Sequence, residues 1–505
     1  MPSVVPNSAT PHARDVVGRE VLLVGTGRPV GGGGGGGPFR RRRALRPGVV
    51  FRARAVEDAC EAAARDDRMT DTVERVAGDR TAQAPDAIGH PAFGPLRAGA
   101  AEAWDVVICG GGYVGLSLGL ALRRAAPSLS VLLVDARPPA APNGDLRASA
   151  IAAAARRMLE TLGVWAAIEP ESQPILDMVV TDSRLEDAVR PVFLTFAGTT
   201  ERGEPFAHMV PNGVLVEALR RAALEAGLVI RAPERVADYA AGVDGAEVRL
   251  GSGARIAASL IVAADGVRSH LRGLAGIRTL EWRYGQSGIV ATVAHEHPHE
   301  GRAEEHFLPA GPFAILPLKG NRSSLVWTER TDVAERLVAD DEIVFVSELE
   351  RRFGRRLGAI ELVGGRAAFP LGLVLARDFV KRRLALVGDA AHGIHPIAGQ
   401  GLNLGFRDVA ALAEAVVEAI RIGEEPGSDA ALARYQRWRR FDTVQMALVT
   451  DGLNRLFSND IAPLRMLRDV GLGIVDRLPG LKRMFIAEAA GEARSAPRLL
   501  RGLAI

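Results

Sequence analysis

The amino-acid sequence predicts an α/β protein that carries an inserted sheet and a helical C-terminal region. Residues 105–109 form an apolar strand, residues 113–126 a helix and residues 130–134 a second strand, together a βαβ unit of the size expected for a parallel crossover. Residues 285–330 alternate like an antiparallel sheet, and from residue 406 onward the pattern is helical almost to the end. With 48% hydrophobic and 24% charged residues, a chain of 505 residues is expected to form two or three structural units.

Net charge separates the beginning of the chain from the rest. The whole sequence has a formal net charge of +3, but residues 1–54 contain ten arginines and two carboxylates, so the remainder carries −5. A mildly acidic folded part argues against a nucleic-acid partner. Cys60 and Cys109 are the two cysteines, which excludes a disulfide framework and a cysteine zinc site and favours a cytoplasmic location. No stretch of about 18–20 uncharged apolar residues is present, so no transmembrane helix is predicted.

Residues 1–103 are predicted to form a disordered leader. Seven consecutive glycines at residues 31–37 are followed by four arginines at residues 40–43, and such a segment cannot recover its backbone entropy through burial. We interpret the arginine run as a solvated tail, with contact to RNA or acidic lipid as the alternative. Met69, which opens Met-Thr-Asp-Thr, is a candidate start of the natural protein.

The remaining patterns predict a discontinuous first domain with a second domain inserted into it. Residues 150–168 look helical, residues 175–250 mix short strands with a helix at 212–226, and residues 383–388 form a buried strand. The predicted first domain comprises residues 104–175, 250–282 and 380–425, the second comprises residues 176–249 and 283–379, and residues 426–505 form the helical C-terminal region.

The glycine loop of the βαβ unit has the spacing Gly-x-Gly-x-x-Gly. Gly110 allows a sharp turn, Gly112 lets a pyrophosphate approach the backbone, and Gly115 lets the following helix pack closely on the sheet. That helix presents free N–H groups and the positive end of its dipole to phosphates. Asp135 ends the second strand, where a carboxylate can accept hydrogen bonds from ribose hydroxyls. These features predict dinucleotide binding without distinguishing FAD from NAD.

Two later predicted strands are also followed by an aspartate at their carboxyl ends. The strand before Asp265 runs into a basic turn that contains Arg268, although an ordinary strand exit capped by Asp265 is the alternative interpretation. The strand before Gly388 and Asp389 is followed by a glycine-rich loop and by a helix that begins near Leu402. Such a loop can lie against a flat ring and direct a helix dipole at the negative charge of a reduced flavin.

Together these segments resemble the motifs of the FAD-dependent aromatic-ring hydroxylases of the p-hydroxybenzoate hydroxylase type, and most of all its ubiquinone-biosynthesis hydroxylases. The most specific match is His395-Pro396-Ile397-Ala398-Gly399-Gln400-Gly401-Leu402-Asn403, preceded by Gly388-Asp389-Ala390-Ala391-His392. Residues 145–148, Asp-Leu-Arg-Ala, supply the arginine that these enzymes place near FAD. The similarity covers roughly residues 104–491, and it departs from the family at Asp135, where Glu is commoner.

The resemblance implies a Rossmann-like FAD-binding domain, an inserted mixed or antiparallel sheet domain for the substrate, and a helical tail. It implies FAD as the cofactor and NAD(P)H as a transient co-substrate, since no second complete Rossmann unit is visible. Reduced flavin would take up O₂ to give a 4a-hydroperoxide that hydroxylates a phenol ring. By analogy, the residues that hold FAD are Gly110, Gly112, Gly115, Asp135, Arg147, Asp265, Arg268, Gly388, Asp389, Pro396, Gly399, Gln400, Gly401, Leu402 and Asn403.

No catalytic base is assigned from the sequence. Tyr284, His392 and His395 are eligible by residue type, but the sequence gives no geometry for them. Four histidines at positions 295, 297, 299 and 306 occur among glutamates and suggest a metal site. Because Pro298 interrupts them and they alternate with polar residues, we interpret this segment as a solvated strand end and expect no metal.

The C-terminal region contains a second amphipathic pattern. An apolar stripe within residues 463–478 is flanked by arginines and by Lys482. Core packing or subunit contact is one interpretation, and peripheral attachment to the inner membrane is the other.

We expect an enzyme that hydroxylates the ring of a polyprenylated phenol in ubiquinone biosynthesis, with O₂ as co-substrate and other ubiquinone-biosynthesis proteins as candidate partners. Two alternatives stay open: a hydroxylase of a soluble aromatic compound, and a non-catalytic flavin- or lipid-binding subunit of a quinone-biosynthesis complex. The sequence leaves open which ring carbon is hydroxylated and whether NADH or NADPH is used.

Overall fold

A computed structural model describes residues 102–505 except for 139–144, 146, 183–184, 186–191, 198, 201, 395–399, 458–489 and 492–495. The predicted leader therefore lies outside the described residues up to residue 101. Glu102 and Ala103, which were assigned to the leader, belong to the first strand.

Strands and helices alternate through the described residues. In chain order the strands are β1 (Glu102–Cys109), β2 (Val131–Val134), β3 (Ala148–Ala152), β4 (Gln173–Ile175), β5 (Asp177–Asp182), β6 (Val192–Ala197), β7 (Ala207–Pro211), β8 (Val229–Arg231), β9 (Val236–Ala241), β10 (Ala246–Leu250), β11 (Arg255–Ala263), β12 (Thr279–His295), β13 (Arg302–Leu308), β14 (Gly311–Leu318), β15 (Arg322–Arg330), β16 (Ile360–Ala376), β17 (Val380–Lys381), β18 (Leu384–Leu386) and β19 (His392–Gly393). The helices are α1 (Tyr113–Ala125), α2 (Ala153–Thr161), α3 (Trp165–Ile168), α4 (Asn212–Glu225), α5 (His270–Leu274), α6 (Thr331–Ala339), α7 (Glu342–Phe353), α8 (Gln400–Arg421) and α9 (Asp429–Phe457).

The first sheet contains the predicted βαβ unit. Its order is β17-β18-β11-β1-β2-β8, with the β9–β10 hairpin attached to β11. The strands from β18 to β8 are parallel, and β1 is paired with β11 on one side and β2 on the other. Val106, Val107 and Ile108 are completely buried, because helices cover a parallel sheet on both faces and its strands are therefore apolar without alternation. The parallel crossover is confirmed.

Helices α1, α4 and α8 belong to the core of this first sheet. Helix α1 contacts both α4 and α8, and apolar residues of all three lie in the same cluster as β1 and β11. A close approach at Gly119 makes part of this packing possible, since a Cβ at that position would lie 2.7 Å from Cδ2 of Leu228. Helix α1 ends at Ala125, shortly before Pro127, as the sequence predicts.

The second sheet has the order β19-β16-β12-β15-β14-β13-β5-β6. All its neighbouring strands are antiparallel except β13 and β5. Helices α6 and α7 cover one face, where Phe313, Trp327 and Phe345 form a buried aromatic cluster. The predicted antiparallel sheet across residues 285–330 is confirmed.

A third sheet, β3-β7-β4, lies next to the second, and a small core joins them through Ile175, Met209 and Ala303. The predicted helix over residues 150–168 is wrong at its beginning, because residues 150–152 belong to β3. The alanine-rich pattern favours a helix locally, but backbone pairing with β7 holds this segment extended. Helical structure begins at Ala153, and Gly163 separates α2 from α3.

Strand pairing also bears on the division into domains. Residues 229–249, assigned above to the second domain, lie in β8, β9 and β10 of the first sheet, and α4 packs in the core of that sheet. The division as a whole stays a prediction. At the C-terminal end, α8 begins at Gln400 and α9 packs against it. The apolar stripe of residues 463–478 lies outside the described residues.

Candidate active site

The loop after β1 is shaped by glycine at two positions. Gly110 has φ +120°, a conformation that residues with a Cβ rarely adopt, and a Cβ there would overlap the carbonyl oxygen of Ala264. A Cβ at Gly115 would overlap the carbonyl of Gly110, so helix α1 can lie this close to β1 only with glycine. Beside Gly112, by contrast, no atom of the described residues other than its chain neighbours lies within 4 Å of the Cβ position. The backbone at Gly112 is therefore open to a ligand.

A cavity of about 710 Å³ opens at the carboxyl ends of the parallel strands. We call it the strand-end groove. Its lining includes Cys109, Val134 and Ala264, the residues at or just beyond the ends of β1, β2 and β11. Helix α1 begins at this groove, and no side chain caps its N-terminus, so its first N–H groups and the positive end of its dipole can bind an anion. Ligands of open α/β sheets bind at this edge.

Two aspartates follow strands that end in the groove. Asp135 follows β2, and its carboxylate accepts hydrogen bonds from the backbone N–H and the side chain of Arg137. Asp265 follows β11, and its Oδ2 accepts from the N–H groups of His270 and Leu271 at 2.8 and 3.2 Å. The alternative interpretation of Asp265 as a cap is thus correct for one oxygen. Its other oxygen, Oδ1, is buried and has no hydrogen-bond partner among the described residues.

The predicted arginines lie where the groove meets a second cavity. Arg147 lines both, forms a bidentate ion pair with Asp145 at 2.6 and 2.8 Å, and stacks over the ring of Phe369. Burial raises the pKa of Asp145, but Arg147 and Asn212 outweigh this effect and hold the pKa below its usual value. Arg268 is exposed and also lines both cavities.

Asp389 lies at the same junction, in a short 3₁₀ turn over Gly388–Ala390 that follows β18. Burial raises the pKa of its carboxyl above the usual value, whereas the nearby His392 and Arg147 lower it. Gly388 has φ +60°, and its N–H donates to Oδ2 of Asp408 at 2.8 Å. The turn is therefore anchored to α8 by the hydrogen bond to the carboxylate of Asp408.

That carboxylate belongs to a buried network that the sequence did not reveal. Asp408 is completely buried, and it accepts a hydrogen bond from Nε2 of His392 at 2.6 Å and another from Nε of Arg439 at 2.7 Å. Asp442 accepts from Arg439 and from Arg407. Burial raises the pKa of Asp408, but the charges of His392 and Arg439 outweigh it and leave the pKa below its usual value. A charged pair within the apolar sequence of α8, Arg407-Asp408, was the available signal.

The N-terminus of α8 is tied to β3 by Asn403. Its Oδ1 accepts from the N–H of Ala152 at 2.9 Å, and its Nδ2 donates to the carbonyl of Ala150 at 2.8 Å. Asn403 is predicted to contact the flavin ring; its described contacts fix the helix against the sheet. Gln400, Gly401, Leu402 and Asn403 all line the second cavity. Pro396 and Gly399, like His395, lie outside the described residues.

The second cavity, which we call the sheet cavity, has a volume of about 1270 Å³ and a mostly apolar lining. One face of the second sheet contributes to it, as do β3 and the N-terminus of α8. It shares four lining residues with the strand-end groove: Tyr113, Arg147, Arg268 and Asp389. Arg272 also reaches it and donates to the carbonyls of Ala390 and Val267.

Two of the three eligible bases are engaged elsewhere, and the third, His395, lies outside the described residues. The hydroxyl of Tyr284 donates to Asp451 at 3.0 Å, as the indole of Trp282 does, and His392 belongs to the Asp408 network. In the histidine-rich segment, His295 and His299 bond to the carbonyl oxygens of His297 and Leu318. Both are buried, whereas Glu296, His297 and Glu300 are exposed, so the interpretation of this segment as a solvated strand end holds only in part.

No group of three or more metal-ligating side chains occurs among the described residues. Within the same part of the chain, no helix is both long and apolar enough to span a bilayer.

The groove has the features that FAD binding needs. A buried carboxylate oxygen of Asp265 lacks a partner within the described chain, the backbone at Gly112 is open, and an uncapped helix faces the site of a diphosphate. Flavin-sized space continues into the sheet cavity. The residues present therefore fit a dinucleotide whose ring system extends toward the second sheet.

Comparison with known proteins agrees with this geometry. A family model described as an FAD binding domain matches residues 103–449. Ubiquinone hydroxylase UbiL of Rhodospirillum rubrum is 47% identical over 427 residues, which cover 83% of this chain and 97% of that protein. The 3-demethoxyubiquinol 3-hydroxylase of Escherichia coli is 36% identical over 77% of this chain and 98% of its own length. Human ubiquinone biosynthesis monooxygenase COQ6 is 30% identical over 77% of this chain and 92% of its own.

Among solved structures, p-nitrophenol 4-monooxygenase PnpA of Pseudomonas putida superposes with a TM-score of 0.65 at 20% identity, over 78% of this chain and 100% of that one. This likeness establishes the shared fold. The sequence matches extend over most of both chains. The chain therefore belongs to the family of FAD-dependent monooxygenases that includes the ubiquinone-biosynthesis hydroxylases.

Proposed function

We propose that the substrate of this FAD-dependent monooxygenase is a polyprenylated phenol, whose ring it hydroxylates during ubiquinone biosynthesis with NAD(P)H and O₂. The observation that carries the proposal is the sheet cavity, which is mostly apolar and shares its lining with the strand-end groove. Its 1270 Å³ exceeds the roughly 300–1,000 Å³ of ordinary ligand pockets. It therefore offers room for a flavin ring, a phenol ring and the beginning of a prenyl chain.

Each predicted residue has a distinct task in this proposal. The N-terminus of α1 at Gly112 would bind the diphosphate of FAD, and Asp135 would accept hydrogen bonds from a ribose. Asp389, at the junction of the cavities, would bind the ribityl chain. Bound FAD supplies the capacity to accept a hydride from NAD(P)H and to activate O₂.

Positively charged side chains and the first turn of α8 complete the cofactor site. Arg147 and Arg268 would lie beside the phosphates, where a nicotinamide can also approach. Gly401 has an open Cβ position and would lie against the flavin ring. The N-terminal end of α8 is held in place by Asn403, and its dipole stabilises negative charge on that ring. Pro396 and Gly399 stay predictions from the sequence motif.

The chain's contribution to hydroxylation is to exclude water and orient the phenol ring. The apolar face of the second sheet removes the ring from solvent, and a fixed orientation converts an encounter into a positioned reaction. Relatives whose names specify ubiquinone hydroxylation match 77–83% of this chain, which supports the same substrate class.

Deleting the gene in its host tests the proposal. A polyprenylated phenol that lacks one ring oxygen should accumulate, as detected by mass spectrometry, and the wild-type gene should clear it. Asp389→Ala should fail to clear it, while Asp429→Asn, at an exposed position on α9, serves as the matched control. A normal quinone pool would overturn the proposal. Accumulation of a soluble aromatic compound would indicate that the enzyme hydroxylates such a compound instead. Rescue by a variant that binds no flavin would indicate a non-catalytic subunit.

We further infer that the protein is cytoplasmic and makes peripheral contact with the inner membrane and with other ubiquinone-biosynthesis proteins. Support comes from the arginine-flanked apolar stripe of residues 463–478 and from a substrate that would reside in the bilayer. Co-sedimentation of the full chain with anionic liposomes tests the membrane contact. Absence of binding at low salt, with neutral liposomes as the control, would contradict it.

A further inference from the structure

A buried carboxyl group, Glu305, lies on the part of β13 that faces the sheet cavity. Alternate side chains of a strand point to opposite faces, and Ala303 and Glu305 line the cavity. Glu304 and His306 point the other way, where Glu304 contacts Arg356 and His306 contacts Thr181. Glu305 is 5% exposed. Its side chain is therefore placed against whatever occupies the cavity.

The protein supplies no partner for this carboxyl group among the described residues. The residues paired with Glu305 are Ala314 on β14 and Val180 on β5, neither of which carries a polar side chain. The same row continues across the sheet through Val326 and Val290, both on the cavity lining. Burial alone raises the pKa of Glu305 to about 7. Other buried carboxylates here, such as Asp408, are paired with cations.

Two hydroxyl groups on the same sheet face are also unsatisfied. Ser324 and Thr328 lie on β15, two residues to either side of Val326, and both line the sheet cavity. They are 1% and 2% exposed, and neither hydroxyl oxygen has a hydrogen-bond partner among the described residues. A buried polar group without a partner costs about 1–3 kcal/mol. Three such groups on one apolar surface indicate a ligand that carries oxygen atoms.

We propose that Glu305, Ser324 and Thr328 form the subsite that binds the ring oxygens of the phenolic substrate, with Glu305 accepting the hydrogen of the phenolic hydroxyl group. The inference rests on the proposed function and deepens it by naming the residues that recognise the ring. Glu305 and the two hydroxyls select a phenol over an ether or hydrocarbon, since the carboxylate needs a donor. Ser324 and Thr328 donate to further ring oxygens.

Glu305 also acts on the reaction as a general base. A free phenol has a pKa of about 10, so the proton remains on the phenol oxygen in the bound substrate and a hydrogen bond links it to the carboxylate. When the ring gains an electrophilic oxygen atom, positive charge develops on it and the phenolic O–H becomes strongly acidic. The O–H bond then breaks, its electron pair stays with the ring as a carbonyl, and the proton moves to a Glu305 oxygen. On rearomatisation the carbonyl oxygen would take the proton back from Glu305, and the ring C–H proton would pass to the oxygen atom left on the oxygen donor, so that Glu305 is again ionised and no net charge remains.

The charged and titratable groups around the subsite are few and lie elsewhere on the cavity wall. On the neighbouring strands, β5 and β14 present Val180 and Ala314 to Glu305. The other titratable or charged side chains that line the cavity are Tyr113, Arg147, Arg268, Arg272, Glu281, Arg283 and Asp389. Ionisation of Glu305 should therefore govern the pH dependence of phenol binding near neutrality.

Binding of two matched probes to the flavin-loaded enzyme tests the proposal. The probes are a farnesylated phenol and its methyl ether, which lacks the hydroxyl hydrogen, and their affinities are measured by calorimetry from pH 5.5 to 8.5. At pH 8.5 the wild type should prefer the phenol by about tenfold to a hundredfold, the range of a hydrogen bond to a charged acceptor. The preference should fall as pH decreases through about 7, where Glu305 becomes protonated. Glu305→Gln should reduce the preference to less than about tenfold, because its amide oxygen is a neutral acceptor, and should remove the pH dependence.

The control is Glu361→Gln, the same substitution at an exposed position on β16 of the same sheet. It should retain the wild-type preference. If Glu305→Gln keeps the preference and its pH profile while the wild type hydroxylates the phenol, this inference is wrong and the proposed function stands. If the wild type binds neither probe, the proposed function is wrong. If Glu305→Gln purifies without flavin, the Ser324→Ala variant tests the subsite instead. It should weaken the binding of a methoxylated farnesyl phenol more than the binding of the unsubstituted farnesyl phenol, and equal weakening would contradict the inference.

Discussion

Replacing Asp408 by asparagine should destabilise the protein and weaken its hold on FAD. Asp408 Oδ2 accepts from the N–H of Gly388 and from His392, and its Oδ1 accepts from Arg439. Asparagine has one acceptor oxygen, so its NH₂ group must face donor groups on one side or the other. The substitution therefore loses at least one hydrogen bond and leaves part of the positive charge of Arg439 uncompensated.

The cost follows from burial. Asp408 and His392 are both 0% exposed, and removing one partner of a buried ion pair costs about 3–5 kcal/mol. Asp442 still accepts from Arg439, which places the expected loss near the lower limit, at about 3 kcal/mol. The turn at Gly388 and Asp389 loses its anchor to α8, so we expect FAD affinity to fall at least about tenfold.

Urea unfolding of the flavin-free protein measures the stability, and FAD titration followed by fluorescence measures the affinity. Asp429→Asn, an exposed position at the start of α9, should change stability by less than about 0.5 kcal/mol. Because the folded-state pKa of Asp408 lies below 3.8, the wild type should lose its advantage over the variant as the pH falls below about 4. A loss of less than about 1 kcal/mol together with unchanged FAD affinity would refute the anchoring role.

Four further substitutions have expected outcomes. Gly110→Ala should destabilise the apoprotein by about 2 kcal/mol or more in urea because of its positive φ, whereas Gly112→Ala should unfold like wild type yet bind FAD more weakly. Asn403→Ala should cost about 1–3 kcal/mol in the same assay, since two backbone groups of β3 lose their partner. Glu305→Gln should stabilise the apoprotein by up to about 3 kcal/mol at pH 8.5 relative to pH 4.5, because ionising a buried carboxyl of pKa about 7 progressively costs stability above its unfolded value. If the free energy of unfolding depends on pH in the same way for the wild type and for Glu305→Gln, the prediction for Glu305 is wrong.

Local patterns account for what the sequence predicts well. The strand, glycine loop and helix around Gly110 lie within about thirty residues, and each step follows from residue size and backbone freedom. Asp265 and Asp389 were predictable because each lies two or three residues beyond the end of an apolar strand, and parallel strands end at one edge of a sheet. The groove could therefore be predicted from three short sequence segments without knowledge of how they pack together.

Contacts between distant segments account for what was missed. Asn403 bonds to residues about 250 positions earlier, and Arg439 reaches Asp408 because α9 packs against α8. Neither pairing leaves a periodic signal. The alanine-rich residues 150–152 favour a helix by propensity, and their pairing with β7 is a tertiary effect that propensity does not contain.

The histidine- and glutamate-rich segment illustrates a different kind of ambiguity. Alternation in β13 shows that Glu305 and His306 lie on opposite faces, but a strand pattern does not say whether each face meets solvent, another layer or a cavity. Both faces are in fact buried: His306 contacts Thr181 and stacks on Phe313, and the sheet cavity lies against Glu305. Polar composition alone suggested solvent on at least one side.

Buried carboxyl groups in this protein fall into two kinds, and their partners distinguish them. Asp408 is surrounded by an arginine, a histidine and a backbone N–H, so its charge is satisfied within the fold and its effect on the cofactor site is one of position. Glu305 has no such partner among the described residues and lies on a cavity wall with two unsatisfied hydroxyls. An unpaired buried carboxyl group such as Glu305 does not stabilise the fold, since a leucine or methionine at the same position would avoid the desolvation cost. This difference supports our inference that the partner of Glu305 is the molecule that fills the cavity.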